Sequence, residues 1–274
     1  MSAIPESLTR QALPTMRLKA IRLSTWSLLP FAGLSIALLV WWATTSPVFY
    51  PDSVPAKFAP EACFDALWTL FASAEIFPHI LVSLKRVLLS LLFALLAGIP
   101  LGVLVGLSRS VERATGPLFQ FVRMISPLSW MPLAVMVFGI GDAPVYFLLS
   151  VAAVWPIMLN VSAGVHAIDP RWLTLARSLC ANRRETLFRI IAPAIVAHIL
   201  TGIRLAIGIV WIVLVPAEML GVSQGLGYFI LDTRDRLAYS ELMAVILIIG
   251  LLGYLLDLSV RLITQKWTHR RQDN

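Results

Sequence analysis

Charge is missing from long stretches of this chain, and that most limits what it can fold into. Residues 23–51 contain no Asp, Glu, Lys or Arg, and neither do 87–108, 124–141 and 143–168. Residues 190–217 hold one charge, Arg204, and residues 242–260 hold one, Asp257. A bilayer core about 30 Å thick is crossed by about 20 helical residues. Six transmembrane helices are therefore expected, near 27–45, 87–107, 124–141, 143–162, 195–217 and 242–261. Only 14% of the 274 residues are charged, against about 25% in a soluble domain. The expected class is an all-α polytopic membrane protein, and no long polar stretch could house a second soluble domain.

Two apolar runs do not fit a span. Residues 219–231, "MLGVSQGLGYFIL", have three glycines and suit a re-entrant or interfacial segment. Residues 66–84 contain Glu75, Pro78 and His79, and read as an interfacial helix and a turn into the second span.

Lys and Arg set the orientation. With the N-terminus inside, the cytoplasmic segments 1–26, 108–123, 163–192 and 261–274 hold 16 basic residues, and the outer segments hold five: Lys57, Lys85, Arg86, Arg234 and Arg236. Both termini are expected in the cytoplasm of a bacterial inner membrane. The domain reading is a cytoplasmic tail (1–26), a first span (27–45) and a periplasmic loop with an interfacial helix (46–86). A core of five spans (87–261) with a cytoplasmic loop (163–192) and a basic cytoplasmic tail (262–274) complete it. The net charge of +7 is a topology signal for a protein surrounded by lipid, and nucleic acid is not an expected partner. The first span is too long for the ~7–15-residue core of a cleaved signal peptide. Cys63 is expected outside and Cys180 inside, which excludes an intrachain disulfide and a shared metal site.

The longest cytoplasmic loop is the least bland. In "AIDPRWLTLARSLCANRRETLFRIIAP", Asp169 and Pro170 make a helix start, with a capping acid and proline at the first helical position. Trp172, Leu175, Ala176 and Leu179 then form one apolar stripe at i, i+3, i+4 and i+7. Asn182 can cap a second helix with Glu185 as its capping-box partner, after a basic turn containing Arg183 and Arg184. That helix runs to Pro193. The stripe either lies on the protein's own helix ends or headgroups, or docks into a groove on a soluble partner.

This segment resembles the EAA loop of ABC importer permeases, the binding-protein-dependent inner-membrane component. The motif spacing is kept in Thr174-Leu175-Ala176, Cys180 and Ile190-Ile191-Ala192-Pro193, although the acid, the first alanine, the glycine and the leucine are changed. "IDPRW", "LTGIRLAIGIVWIVLVPAEML", "GLGYFILD", "SPLSWMPLAVMVFGIG" and "SLKRVLLSLLFALLAGIPLGVLVGLSR" resemble the nitrate/taurine/aliphatic-sulfonate branch. The resemblance implies a type I importer fold with a cytoplasmic coupling helix. Asp169, Pro170, Trp172, Leu175, Ala176, Arg177, Leu179, Cys180, Arg183 and Arg184 would couple to an ATPase. The implied partners are two copies of an ATP-binding subunit, a second permease chain as a homodimer, and a periplasmic substrate-binding protein. The implied cargo is a small anion. At position 180 glycine would allow positive φ freely; with cysteine, the turn either keeps φ negative or is strained.

The residues themselves give this chain no ATP site of its own. None of the four lysines (19, 57, 85, 266) follows a glycine, so there is no phosphate loop. No cofactor is expected on this chain, with ATP and Mg used by the partner ATPase. The competing reading is a secondary transporter or channel driven by an ion gradient, but no acid lies at midspan. An enzyme would need clustered acids or histidines, and His79, His166, His198 and His269 are scattered. The candidate translocation path is Ser126, Ser129 and Trp130 beside Pro127 and Pro132 in span three, with Arg204 and Glu218. Arg204 reads as either a positive collar for an anion or a structural ion-pair partner. Glu218 and the glycine-rich 221–228 read as an outer gate or as a turn.

Overall fold

The computed structural model describes residues 32–46 and 54–272, with side chains described to residue 265. No strand occurs among the described residues. The expected tail 1–26 lies outside them, as do residues 27–31 of the expected first span.

Two units are described separately, residues 1–65 and 66–274. In the first, α1 (Ala32–Thr45) is a short apolar helix. Its last turn is pinned by tryptophans: Trp41 Nε1 donates to the Phe58 carbonyl at 3.0 Å, and Trp42 Nε1 to Glu61 Oε1 at 2.9 Å. A 3-10 turn (Val54–Phe58) leads to α2 (Pro60–Ala72), whose last seven residues belong to the second unit and open the 66–84 run.

The second unit is built on α3 (Ile76–Leu107), α6 (Asp142–His166) and α9 (Ala192–Glu218). Their shared core includes Leu91, Leu148, Leu149, Ile157, Ile195 and Leu214. Close approach of α3 to α6 runs along Gly98, Gly102 and Gly106. A Cβ at Gly102 would sit 2.6 Å from the Met158 carbonyl oxygen. Small residues at such a crossing let backbones meet where lipid supplies no hydrophobic drive.

Among the described residues, four helices are long and apolar enough to cross a membrane: Ile76–Leu107, Asp142–His166, Arg183–Glu218 and Tyr239–Gln265. The last is the apolar part of α11 (Tyr239–Gln272). The second expected span therefore starts at Ile76 rather than at 87. Lys85 and Arg86, expected in an outer loop, lie inside α3.

The third expected span, 124–141, is not one helix. An amphipathic α4 (Arg109–Met124) ends at Ile125, a 3-10 turn covers Pro127–Trp130, and α5 (Met131–Phe138) follows. The two arms of this broken pair meet at 87°. Pro127 and Pro132 each sit at the start of a new helical segment, where a missing N–H is harmless. They start helices rather than kink one. The short apolar run after α9 is likewise not a span: it is a turn followed by α10 (Leu226–Asp235).

Candidate functional site

Two regions carry chemistry-bearing side chains, one at each end of the α3–α6–α9 bundle. The first is the loop after α6. Asp169 Oδ1 accepts from the Arg171 N–H at 2.9 Å, and Pro170 takes the first helical position of α7 (Pro170–Ser178). Ala176 is buried, whereas Trp172 (59% exposed), Leu175 (48%) and Leu179 (73%) face outward. These residues border an open groove of about 390 Å³, closed on its other side by Ala181, Arg189 and Ile190. Arg177 is exposed, its Nε donating back to the Leu173 carbonyl at 3.3 Å.

The turn after α7 has a defined geometry. The Cys180 N–H bonds to the Arg177 carbonyl at 3.0 Å and the Ala181 N–H to the Ala176 carbonyl at 2.9 Å, the paired bonds of a Schellman ending. Cys180 adopts φ +54, so the strained alternative for this turn holds. Asn182 and Glu185 form a full capping box at the start of α8 (Arg183–Thr186), with Arg183 and Arg184 exposed in its first turn. A π-helical segment (Leu187–Ile191) joins α8 to α9. Pro193, with no N–H, sits just past it, and the wider turn absorbs the missing bond.

The second region is an ion-pair network across α3, α6 and α9. Arg86 of α3 is 2% exposed, and its Nη1 donates to Glu218 Oε1 and to the Gln224 carbonyl, each at 2.7 Å. Glu218, 0% exposed at the end of α9, also accepts from Ser83 Oγ at 2.8 Å and from the Gly227 N–H at 2.9 Å. The other edge of Arg86 meets Asp142 Oδ1, from Nε at 3.1 Å and Nη2 at 2.5 Å. Ser83 Oγ accepts from the Leu226 N–H at 2.9 Å, and His79 Nδ1 lies 3.1 Å from the Gly225 N. A buried guanidinium needs partners on every edge, and this one has two carboxylates and a carbonyl. Gly225, at φ +120, lies directly over the pair: a Cβ there would be 2.5 Å from Arg86 Nη1 and 2.6 Å from the Glu218 carboxyl.

The five path candidates are not one cluster. Ser126, Ser129 and Trp130 share a single turn, closed by the Ser129 N–H on the Ser126 carbonyl at 3.0 Å. Both serines are exposed, while Trp130 packs on the core. Arg204 pairs with Asp257 of α11, Nε to Oδ1 at 3.2 Å, and Arg261 meets the other oxygen of Asp257 at 3.0 Å. Glu218 belongs to Arg86. Composition-based reading missed Arg86, Asp142 and Ser83 as a site. A basic residue followed by helical, apolar sequence was the available signal. Among the described residues, no group of three or more His, Cys, Asp or Glu is placed to hold a metal ion.

A helical bundle with membrane-crossing lengths and a capped, outward-facing loop helix at one end is the architecture of a polytopic membrane protein. The chain belongs to the family of binding-protein-dependent transport system inner membrane components, whose model matches residues 98–269. It is 32% identical to the taurine transport system permease protein TauC of Escherichia coli (strain K12), over 88% of each chain. It is 33% identical to the bicarbonate transport system permease protein CmpB of Synechococcus elongatus, over 89% of this chain and 90% of that one. Among solved structures, an inward-facing MetNI methionine ABC transporter matches with a TM-score of 0.61 at 17% identity. That match covers 70% of this chain and 95% of the other. An amino acid ABC transporter crystallised with histidines matches at a TM-score of 0.56. The fold is that of an ABC importer permease.

Proposed function

We propose that this chain is the membrane path of an ATP-driven importer for a small oxyanion of the taurine, nitrate or bicarbonate kind. The relatives just named supply the cargo class. The observation that carries the coupling is α7: a helix capped at both ends whose Trp172, Leu175 and Leu179 remain exposed. Capping fixes its orientation, and exposed apolar side chains on a rigid short helix suit insertion into a partner's groove. The partner is an ATP-binding subunit, two copies of which would use ATP and Mg while this chain uses no cofactor. A second permease chain, taken as an identical copy, completes the path. A soluble binding protein delivers the anion at the Arg86 end. The α7 end then faces the cytoplasm and the chain is an inner-membrane protein with both termini inside. Asp169, Pro170, Ala176, Arg177, Cys180, Arg183 and Arg184 shape and orient the coupling surface. Ser126, Ser129 and Trp130 line the path at the break between α4 and α5, where freed carbonyls face protein or water.

The test is uptake by proteoliposomes holding this chain with its cognate ATPase and binding protein. Labelled taurine, nitrate and bicarbonate are supplied outside and ATP inside. Uptake of one of them only with hydrolysable ATP is expected. Uptake that ignores ATP and follows an imposed ion gradient would instead establish the secondary-transporter reading.

A further inference from the structure

The network end contains an open cavity of about 760 Å³, lined by Lys85, Arg86, Gly141, Asp142, Ser223 and Gln224 among others. That volume lies within the usual range for small-molecule sites, roughly 300–1,000 Å³. The two edges of Arg86 differ sharply. The Nη1 edge points into protein, held by a carboxylate with no exposed surface and by a backbone carbonyl. The Nε–Nη2 edge ends on Asp142, whose side chain is 46% exposed.

That second contact is also a poor match. Both Nε and Nη2 converge on the single oxygen Oδ1. A guanidinium fork fits two parallel oxygens best, and bidentate pairing is the stronger form. Asp142 is therefore the replaceable carboxylate and Glu218 the fixed one. With Asp142 in place, Arg86 and Lys85 balance Asp142 and Glu218. With Asp142 turned to water, an open guanidinium edge and the Lys85 ammonium face the cavity together. A competing carboxylate also keeps the site weak, and a carrier site must release its cargo.

We propose that this cavity is a transient anion site in which an oxyanion takes the Nε–Nη2 edge of Arg86 from Asp142, with Lys85 as the second cation. The proposal rests on the anion-import reading above. A lipid phosphate shares the chemistry, but the site is assigned to the transported anion, because an open cavity walled by the 221–224 turn suits a small free ion.

The probe is trifluoromethanesulfonate, followed by fluorine saturation-transfer NMR on the full chain in lipid-free maltoside micelles, with thermal unfolding recorded on the same samples. Saturable binding displaced by nitrate is expected. Asp142→Asn removes the competitor and tightens binding about tenfold; Lys85→Gln weakens it severalfold. Unchanged or weaker binding in Asp142→Asn, with its unfolding midpoint lowered, makes Asp142 a structural brace and overturns the site. Displacement of the probe by one or two equivalents of phosphatidylglycerol reassigns the cavity to a headgroup and also overturns it. ATP-dependent anion uptake by the reconstituted importer, with no probe binding to this chain, removes the site and leaves the import reading standing.

Discussion

Arg86 and Glu218 are 132 positions apart and meet at 2.7 Å with almost no exposed surface. Each closes the hydrogen bonding of the other, and the 221–228 turn is laid over them through the Gly227 N–H and the Gln224 carbonyl. The pair therefore ties the third turn of α3 and the end of α9 to the turn between α9 and α10.

Removing one member should be worse than removing both. A lone buried charge costs about 3–5 kcal/mol when its partner is deleted, whereas apolar replacement of a whole pair is often tolerated. Glu218→Leu and Arg86→Leu are each expected to lower the unfolding midpoint and membrane abundance strongly. Arg86→Leu/Glu218→Leu should recover part of that loss. Midpoints measured in one detergent decide it; a double variant worse than either single one would show the charges themselves to be required.

The cysteines report sidedness less evenly than their positions suggest. Cys63 is buried in α2 and burial pushes its thiol pKa up, while Cys180 is exposed. Thiolate is the reacting form, so at neutral pH Cys63 should label slowly from either side, and faster as pH rises toward its shifted pKa. Ser223→Cys in a Cys63→Ala background is the better outer reporter, since Ser223 is exposed. An impermeant maleimide should label residue 223 in intact cells and Cys180 only after permeabilisation. Cys180 labelling in intact cells would reverse the proposed orientation.

Cys180 stands at positive φ, where an L-residue with a Cβ is disfavoured by roughly 1–2 kcal/mol. Cys180→Gly should relieve this and rigidify the turn, against a partial offset from the freer unfolded chain. Cys180→Val should loosen it, because a branched Cβ fits this region worst. Hydrogen exchange at the Ala181 N–H, bonded to the Ala176 carbonyl, is the readout. Exchange slowest in Cys180→Gly and fastest in Cys180→Val is expected; equal rates would remove the strain argument.

Residues that act on near neighbours were legible in the sequence. Asp169–Pro170 and Asn182 with Glu185 are caps whose partners lie within three positions, so spacing alone specifies them. Arg86 was not legible: a lysine–arginine pair beside an apolar run reads as a membrane boundary, and only Glu218 and Asp142, distant in the chain, allow it inside. Pro127 and Pro132 lie in the third expected span, which the apolar run alone reads as one helix. The 87° turn there depends on how α5 packs on α6, which no local pattern encodes. Arg204 likewise reveals its partner, Asp257, only when α9 and α11 are placed together.

The proposed coupling surface offers the most direct test of α7. Leu175 and Leu179 are exposed on the groove side, while Ala176 holds the helix to the rest of the chain. An unpaired charge forced into a desolvated contact costs several kcal/mol. Leu175→Asp and Leu179→Asp should therefore break docking of the ATPase without unfolding the bundle, whose α3–α6–α9 core neither residue enters. Membrane abundance should hold, while co-purified ATPase and ATP-driven uptake fall together by about tenfold or more. Ser178→Asp, on the same helix with its hydroxyl turned back to the Thr174 carbonyl, should do far less. Had the stripe only rested on headgroups, the leucine variants would keep the ATPase and at most change stability. Pull-down of the ATPase at matched membrane abundance separates the two outcomes, and wild-type recovery by both leucine variants would end the coupling assignment.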